Sequence, residues 1–174
     1  MIVIRLETDR LIIRNYVVDD WKELQELAID YQASEWAQYD HPRPTSEEEV
    51  KGMAAWFASG DGYLAVCLKT TGKLIGLLNI HHKEVEEGRV HGLGYVLHSA
   101  YHGQGYATEA CRAGLVQVFG SWRADWVTTG THPENESSVR LLKRLGLSEV
   151  SEGAYAITRE EWQDKGSETP YRGE

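Results

Sequence analysis

Cysteine, proline and basic charge are all scarce in this chain, and no apolar run is longer than a strand. The two cysteines, Cys67 and Cys111, lie far apart inside apolar segments. That excludes a disulfide framework, and without a Cys-x-x-Cys spacing it excludes a cysteine metal site. Both thiols read as small core residues in a reducing compartment, the cytoplasm. The longest apolar stretches, such as Leu64 to Leu68, are too short for a bilayer-spanning helix. Arg5, Glu7, Asp9 and Arg10 stand where a signal peptide would need apolar residues. Lysine and arginine number 18 against 27 acids, a net charge of −9. A direct nucleic-acid partner needs a basic footprint and is excluded, as is a membrane. An acidic surface steers amines inward, although most such acids simply keep a protein soluble.

What is present fits a single mixed domain. The 174 residues are enough to bury a real core, and 41% hydrophobic with 26% charged residues is ordinary for a globular protein. Leu11 to Tyr16 is a strand candidate. Asp20 with Glu23 forms a capping-box pattern that opens a helix to about Asp30. Pro42 and Pro44 break the chain, and Thr45 or Ser46 opens a second helix with the stripe Val50, Met53, Ala54 and Phe57. Tyr63 to Lys69 and Lys73 to His81 flank the turn Thr70-Thr71-Gly72 as a hairpin. A turn at Glu86-Glu87-Gly88 precedes a strand from Arg89 to Leu97. A long helix carries Ala107, Ala110, Cys111, Gly114, Leu115 and Val118 on one face. Trp126 to Thr129 is a short strand. Asn135 caps a helix with Ser138, Leu141, Leu142 and Leu145 on its inner face, and Gly146 ends it. Ala154 to Thr158 is a last strand, leaving only a tight turn at Glu152-Gly153 before it. The order β-α-α-β-β-β-α-β-α-β predicts an α/β (α+β) fold. One domain over residues 1–164 is expected, followed by a polar tail at 165–174.

The segment Tyr101-His102-Gly103-Gln104-Gly105-Tyr106-Ala107-Thr108-Glu109-Ala110 carries the chemistry. Strand, link, glycines and helix together make an anion site, because glycines let the backbone approach a pyrophosphate and the first helical N–H groups point at it. A dinucleotide fingerprint is excluded: the third glycine position is Thr108, and His98 to His102 separate the strand from the glycines. A plain structural turn stays open on this segment alone.

Its context resembles the GNAT acetyltransferase family. Gly94-Tyr95-Val96-Leu97, a short link and HGQGYATEA resemble that family's acetyl-CoA core, and Asn135-x-x-Ser138 with LLKRLG resembles its next motif. The opening TDRLIIRNYVVDDW and the ending Ile157-Thr158-Arg159-Glu160-Glu161-Trp162 resemble the ribosomal-protein N-terminal acetyltransferase (Rim-type) branch, the latter its last strand. The likeness runs from about Leu6 to Trp162. It implies a central mixed, mostly antiparallel twisted sheet of about six to seven strands with about four helices.

The resemblance also implies roles. Backbone amides of the loop His102, Gly103, Gln104, Gly105, Tyr106, Ala107 and Thr108 would hold the pyrophosphate; His102 departs from the Gln or Arg that begins the family's loop. Tyr95, Val96 and Leu97 would pair with the pantetheine arm and polarise the thioester carbonyl. Asn135 would bind pantetheine. Ser138 would hydrogen-bond the CoA sulfur and protonate the leaving thiolate, or else bond a carbonyl of its own helix. The branch often has a glutamate where this chain has Gly92, so His81 and His91 are the candidate bases, each otherwise an exposed strand-end residue. His81-His82 is not a metal pair, since neighbours on a strand point to opposite faces. Glu109 suits the helix dipole, while Trp36 and Trp56 lie near the early helices that border the acceptor site. No metal is implied. The expected reaction is direct attack by a primary amine of a protein N-terminus or small molecule, in a monomer or homodimer. An α-amine of pKa ~7.8 is about a seventh neutral at pH 7 and asks little of a base, unlike lysine at ~10.4. The alternative is a catalytically inactive acyl-CoA-binding sensor of the same fold.

Overall fold

The computed structural model describes residues 2–40, 42–85 and 88–166. Among the described residues, one twisted sheet contains all eight strands in the order β1-β2-β3-β4-β5-β6-β8-β7. The strands are β1 (Arg5–Glu7), β2 (Leu11–Asn15), β3 (Tyr63–Leu68), β4 (Leu74–Lys83), β5 (Val90–Leu97), β6 (Trp126–Gly130), β7 (Ser148–Ser151) and β8 (Ala154–Thr158). Every neighbouring pair is antiparallel except β5 with β6. The helices are α1 (Trp21–Gln32), α2 (Glu47–Ala58), α3 (Tyr106–Gly120), α4 (Glu136–Arg144) and α5 (Arg159–Gly166), with a short 3-10 helix at Glu35–Tyr39.

Strand alternation sorts the side chains onto two faces. Ile13, Leu78, Ile80 and Leu93 meet Leu115, Val118 and Leu142 of α3 and α4, while Ala65, Cys67 and Leu77 meet Leu24, Leu27, Val50 and Phe57 of α1 and α2. The expected inner faces are found: Val50, Ala54 and Phe57 are buried on α2, and Leu141 and Leu142 on α4, which ends before Gly146 at φ 93°. Both cysteines are buried and free, and burial pushes the Cys67 thiol up to about 11.

Four expectations change. The sheet has eight strands rather than six or seven, because β1 and β7 are very short edge strands with little apolar signal. The last strand stops at Thr158 and Arg159–Gly166 is a fifth helix, so Lys165 is not in a frayed tail; its Nζ donates to the Gly146 carbonyl at 2.9 Å. Residues 167–174, and Glu86 and Glu87 of the expected turn, lie outside the described residues. Asp20 does not cap α1 with Glu23. Its carboxylate accepts from the Val17 N–H at 2.8 Å and grips the Arg14 guanidinium through two bonds of 2.7 and 2.8 Å.

That ion pair ties β2 to the start of α1, with the Asp20 side chain only 7% exposed. Removing one partner of such a pair strands the other charge in a poorly solvated place. Asp20→Ala is expected to lower unfolding stability by about 3 kcal/mol, measured as a shift in the urea midpoint at unchanged slope. An effect below about 1 kcal/mol would place the pair among weak surface bridges.

Candidate functional site

The site originates in a mismatch of strand lengths. β5 pairs with β6 only through Val90, His91 and Gly92, against Trp126, Val127 and Thr128. β6 then follows β8 as far as Gly130, while Leu93 to Leu97 stay with β4. The two central strands therefore part, and the β6-facing edge of Leu93 to Leu97 is left without a strand partner. A cleft of about 1190 Å³ opens there, lined from the α3–α4 side through to the α1–α2 side.

Gly103 and Gly105 have φ of 72° and 83°, a region that side chains disfavour, and a Cβ at Gly103 would meet nothing within 4 Å. The backbone thus turns openly into α3, whose first intrahelical donor is the Glu109 N–H, bonded to Gly105 O at 3.0 Å. The N–H groups of Tyr106, Ala107 and Thr108 precede it and have no intrahelical acceptor. Glu109 fastens this turn to the chain ahead of β2: its carboxylate accepts from the Thr8 hydroxyl at 2.6 Å, and from the Arg10 N–H and Nε at 3.0 and 2.7 Å. The same arginine donates to Gln104 O at 2.9 Å and lies over the Tyr106 ring. So Glu109 does more than complement the dipole; burial raises its pKa, but these bonds outweigh that and hold it below the ordinary value.

Tyr95, Val96, Leu97, His102, Gly103, Gly105, Tyr106, Ala107, Thr108, Asn135 and Ser138 all line the cleft. Gln104 does not; its side chain donates back to Ala100 O at 3.2 Å. His102 turns toward the strand, where Nε2 donates to Leu97 O at 2.8 Å. Asn135 caps α4 by accepting from the Ser138 N–H at 3.1 Å. The Ser138 hydroxyl does not bond its own helix: it meets the Tyr95 hydroxyl at 2.6 Å. Burial raises the pKa of that tyrosine, so it stays protonated at neutral pH.

The two candidate bases separate. His91 shares the α3 face with Leu93 and Tyr95, stacks on Trp122 at 5.5 Å, and does not line the cleft. It is 8% exposed rather than an exposed strand end, because α3 ends beside it. His81 lies on the other face. Its Nδ1 donates to Asn79 Oδ1 at 2.9 Å; Asn79 lines the cleft, whereas His81, like His91, does not, and reaches it only through that neighbour. Its ring fills the space above Gly92, where a Cβ would come within 2.3 Å of His81 Cε1. Burial, then Lys83, lowers the His81 pKa, which favours neutral imidazole with Nε2 free to accept. Asn79, Tyr39, His132, Arg140 and Arg144 also line the cleft and were not anticipated. Only their position in three dimensions marks them, apart from the two arginines, which repeat at helical spacing with Ser137.

The match to a model of the acetyltransferase (GNAT) domain covers residues 10–148. The chain is 28% identical over 173 residues to the uncharacterized N-acetyltransferase YnaD of Bacillus subtilis, covering 90% of this chain and 98% of that one. A GNAT-family acetyltransferase structure from Bacillus anthracis superposes with a TM-score of 0.79 at 23% identity, covering 90% of this chain and 99% of the other. The ribosomal-protein-S5-alanine acetyltransferase from Vibrio fischeri superposes at 0.78 with 16% identity, covering 91% and 98%. At those identities the two structures establish the fold.

His91 yields a stability prediction. Burial first, then His82 and His81, lowers its pKa, and its Nδ1 has no partner. A folded-state pKa below the unfolded ~6.5 means that protonation favours the unfolded chain. Stability is then full above that value and is lost as pH falls through it toward the lowered one. Melting temperature is expected to fall from pH 7.5 to 5.5, and His91→Phe to flatten the decline; an equally steep decline in that variant would remove His91 as its cause.

Proposed function

Since the chain belongs to the acetyltransferase (GNAT) domain family, we propose that it transfers an acetyl group from acetyl-CoA to a primary amine in the cleft where β5 leaves β6. The observation that carries this reading is the hydroxyl pair of Tyr95 and Ser138, 2.6 Å apart beside the unpaired strand edge.

The residues present fit acetyl-CoA. The open turn at Gly103 and the first amides of α3 suit a pyrophosphate. Arg144 adds positive charge on the cleft wall and donates to the Thr108 hydroxyl at 3.2 Å, while Arg140 lines the same wall paired with Glu136 at 2.9 Å. The free edge of Leu93 to Leu97 offers strand-like pairing to the pantetheine amides. Asn135 uses its oxygen as the helix cap and retains its amide N–H groups for the same arm. When bound, acetyl-CoA supplies an acetyl group activated as a thioester.

The protein's own part is positioning and proton management. Main-chain N–H groups on the edge of β5 polarise the acetyl carbonyl. The amine nitrogen forms a bond to that carbon, the carbon–sulfur bond breaks, and the sulfur takes a proton from the Ser138 hydroxyl. Tyr95 donates to Ser138 and restores it. The surplus proton on the nitrogen passes to the neutral His81 imidazole through the Asn79 side of the cleft and a water, and returns to Tyr95 by solvent. Protons and bonds then balance over one turnover.

His102 acts from outside this exchange. By holding Leu97 O it closes the far end of β5, which fixes where the strand edge stops and the loop begins.

Incubating the protein with acetyl-CoA and primary amines while measuring free thiol tests the reaction. Ser138→Ala is expected to lower kcat by about 10²-fold with little change in the KM for acetyl-CoA, as for loss of a general acid. Tyr95→Phe is expected to lower kcat by about tenfold and leave the fold intact. Equal losses of kcat and acetyl-CoA affinity in both variants would assign the pair to binding rather than proton transfer. Tight CoA binding without thiol release from any amine would favour an acyl-CoA sensor.

A further inference from the structure

The α1–α2 side of the cleft is walled by aromatic rings. Tyr63, Asn79 and Gly94 are register partners across β3, β4 and β5, and all three line the cleft on one face. This row forms a floor running from the reacting edge of β5 out to the Tyr63 ring. Two strand spacings make that run about 10 Å. Tyr63 stacks on Phe57 at 4.0 Å, and Trp56 of α2 leans on it at 5.2 Å. On the β6 side, Tyr39 stacks on His132 at 3.8 Å, so the 3-10 helix Glu35–Tyr39 reaches across to the loop before α4. Trp36 stands 6.2 Å from Tyr39 in the same group.

Two features indicate what enters. Trp56 is 60% exposed and Tyr39 52%, large apolar surfaces left beside a cleft. Arg43 lines this side, paired with Asp40 at 3.2 Å and lying over the Tyr31 ring at 4.6 Å, and Asp30 lines it as well, so its positive charge is balanced by carboxylates. The exposed rings favour a flat apolar group beside them, and a net charge of −9 favours an approaching amine.

We propose that the acceptor is a small arylalkylamine: a primary amine delivered at Gly94 by a short alkyl chain, with its flat ring among Tyr63, Trp56 and Tyr39. This deepens the proposed acetyl transfer and rests on it. The contact of Tyr39 with His132 sets the 3-10 helix against the loop before α4 across the cleft from the folded body of a protein substrate, and the row Tyr63, Asn79 and Gly94 offers a ring rather than a set of hydroxyl partners along the line from the reacting edge.

The test compares kcat/KM, by free-thiol release, for 2-phenylethylamine, tryptamine, propylamine, glucosamine, spermidine and a peptide with an N-terminal alanine. The arylalkylamines are expected to exceed propylamine by about tenfold or more, the scale of one or two aromatic contacts. Tyr39→Ala is expected to raise the KM for tryptamine about fivefold while leaving that for acetyl-CoA and the melting temperature unchanged. Peptide, glucosamine or spermidine turned over as well as the aryl amines would overturn the proposal, as would an unaltered tryptamine KM in Tyr39→Ala. A second readout separates it from the reaction: 2-phenylethylamine should alter the fluorescence of Trp36 and Trp56 in protein saturated with CoA. That change without thiol release would uphold the aromatic site and overturn acetyl transfer; turnover of other amines without that change would do the reverse.

Discussion

Everything in this molecule's site depends on one broken pairing. After Gly92 and Thr128 the two central strands cease to share hydrogen bonds. An interior strand edge normally cannot be left open, because its N–H and C=O groups would be buried without partners. Here the opening is held from both sides: β4 follows β5 to Leu97, and β8 follows β6 to Gly130. Each half of the sheet is complete in itself, so the gap cannot close by a small slide. A ligand with amide groups of its own can then complete the edge, as proposed for the donor arm. The parallel pairing of just these two strands requires a helical crossover between them. That crossover is α3, and its N-terminus is thereby brought to the mouth of the gap.

The charge problem is solved with little basic residue. To take the proposed phosphorylated donor, a protein of net charge −9 needs local fields rather than a basic face. The first amides of α3 and Arg144 of α4 can supply them, Arg140 being paired with Glu136. Glu109 at first looks misplaced, being a carboxylate one turn from a pyrophosphate site. Its three bonds explain it: Thr8 and Arg10 absorb its charge, and Arg10 in turn holds Gln104 O and covers Tyr106. The turn that must stay open to a ligand is thus kept rigid by a strap from the chain's first hairpin. That strap joins residues about a hundred positions apart, so no local pattern announces it.

This difference between local and distant causes also separates what could be read in the sequence from what could not. Helix faces such as Leu141 and Leu142, the hairpin around Gly72 and the glycine turn all follow from short-range periodicity or from backbone angles. Long strands with apolar alternation were legible for the same reason. β1 and β7 were not, because a three- or four-residue edge strand has almost no buried side to produce a pattern. The helix at Arg159–Gly166 was masked by a strand running straight into it. Within the site, Ser138 was legible as an inward polar residue, whereas its partner was not: Tyr95 sits 43 positions earlier and on another element. Tyr39 and His132 illustrate the same limit, since one ends a short 3-10 helix, the other lies in a loop, and only the folded chain stacks them.

The pair His81 and Gly92 carries this reasoning furthest. Taken alone, Gly92 looks like a loss, since a carboxylate is common at that position in the branch this chain resembles. The register places Gly92 directly opposite His81 across β4 and β5. A Cβ there would lie 2.3 and 2.5 Å from two atoms of the imidazole, well inside contact distance. The ring can occupy its place only because residue 92 has no side chain, so the glycine and the histidine are one feature rather than a deletion and an unrelated neighbour. The Asn79 bond suits a tautomer protonated on Nδ1, and burial, then Lys83, lowers the ring's pKa. A titratable ring thus stands over the backbone of residue 92. His91, with the same chemistry ten residues on, is turned by strand parity toward Trp122 on the opposite face.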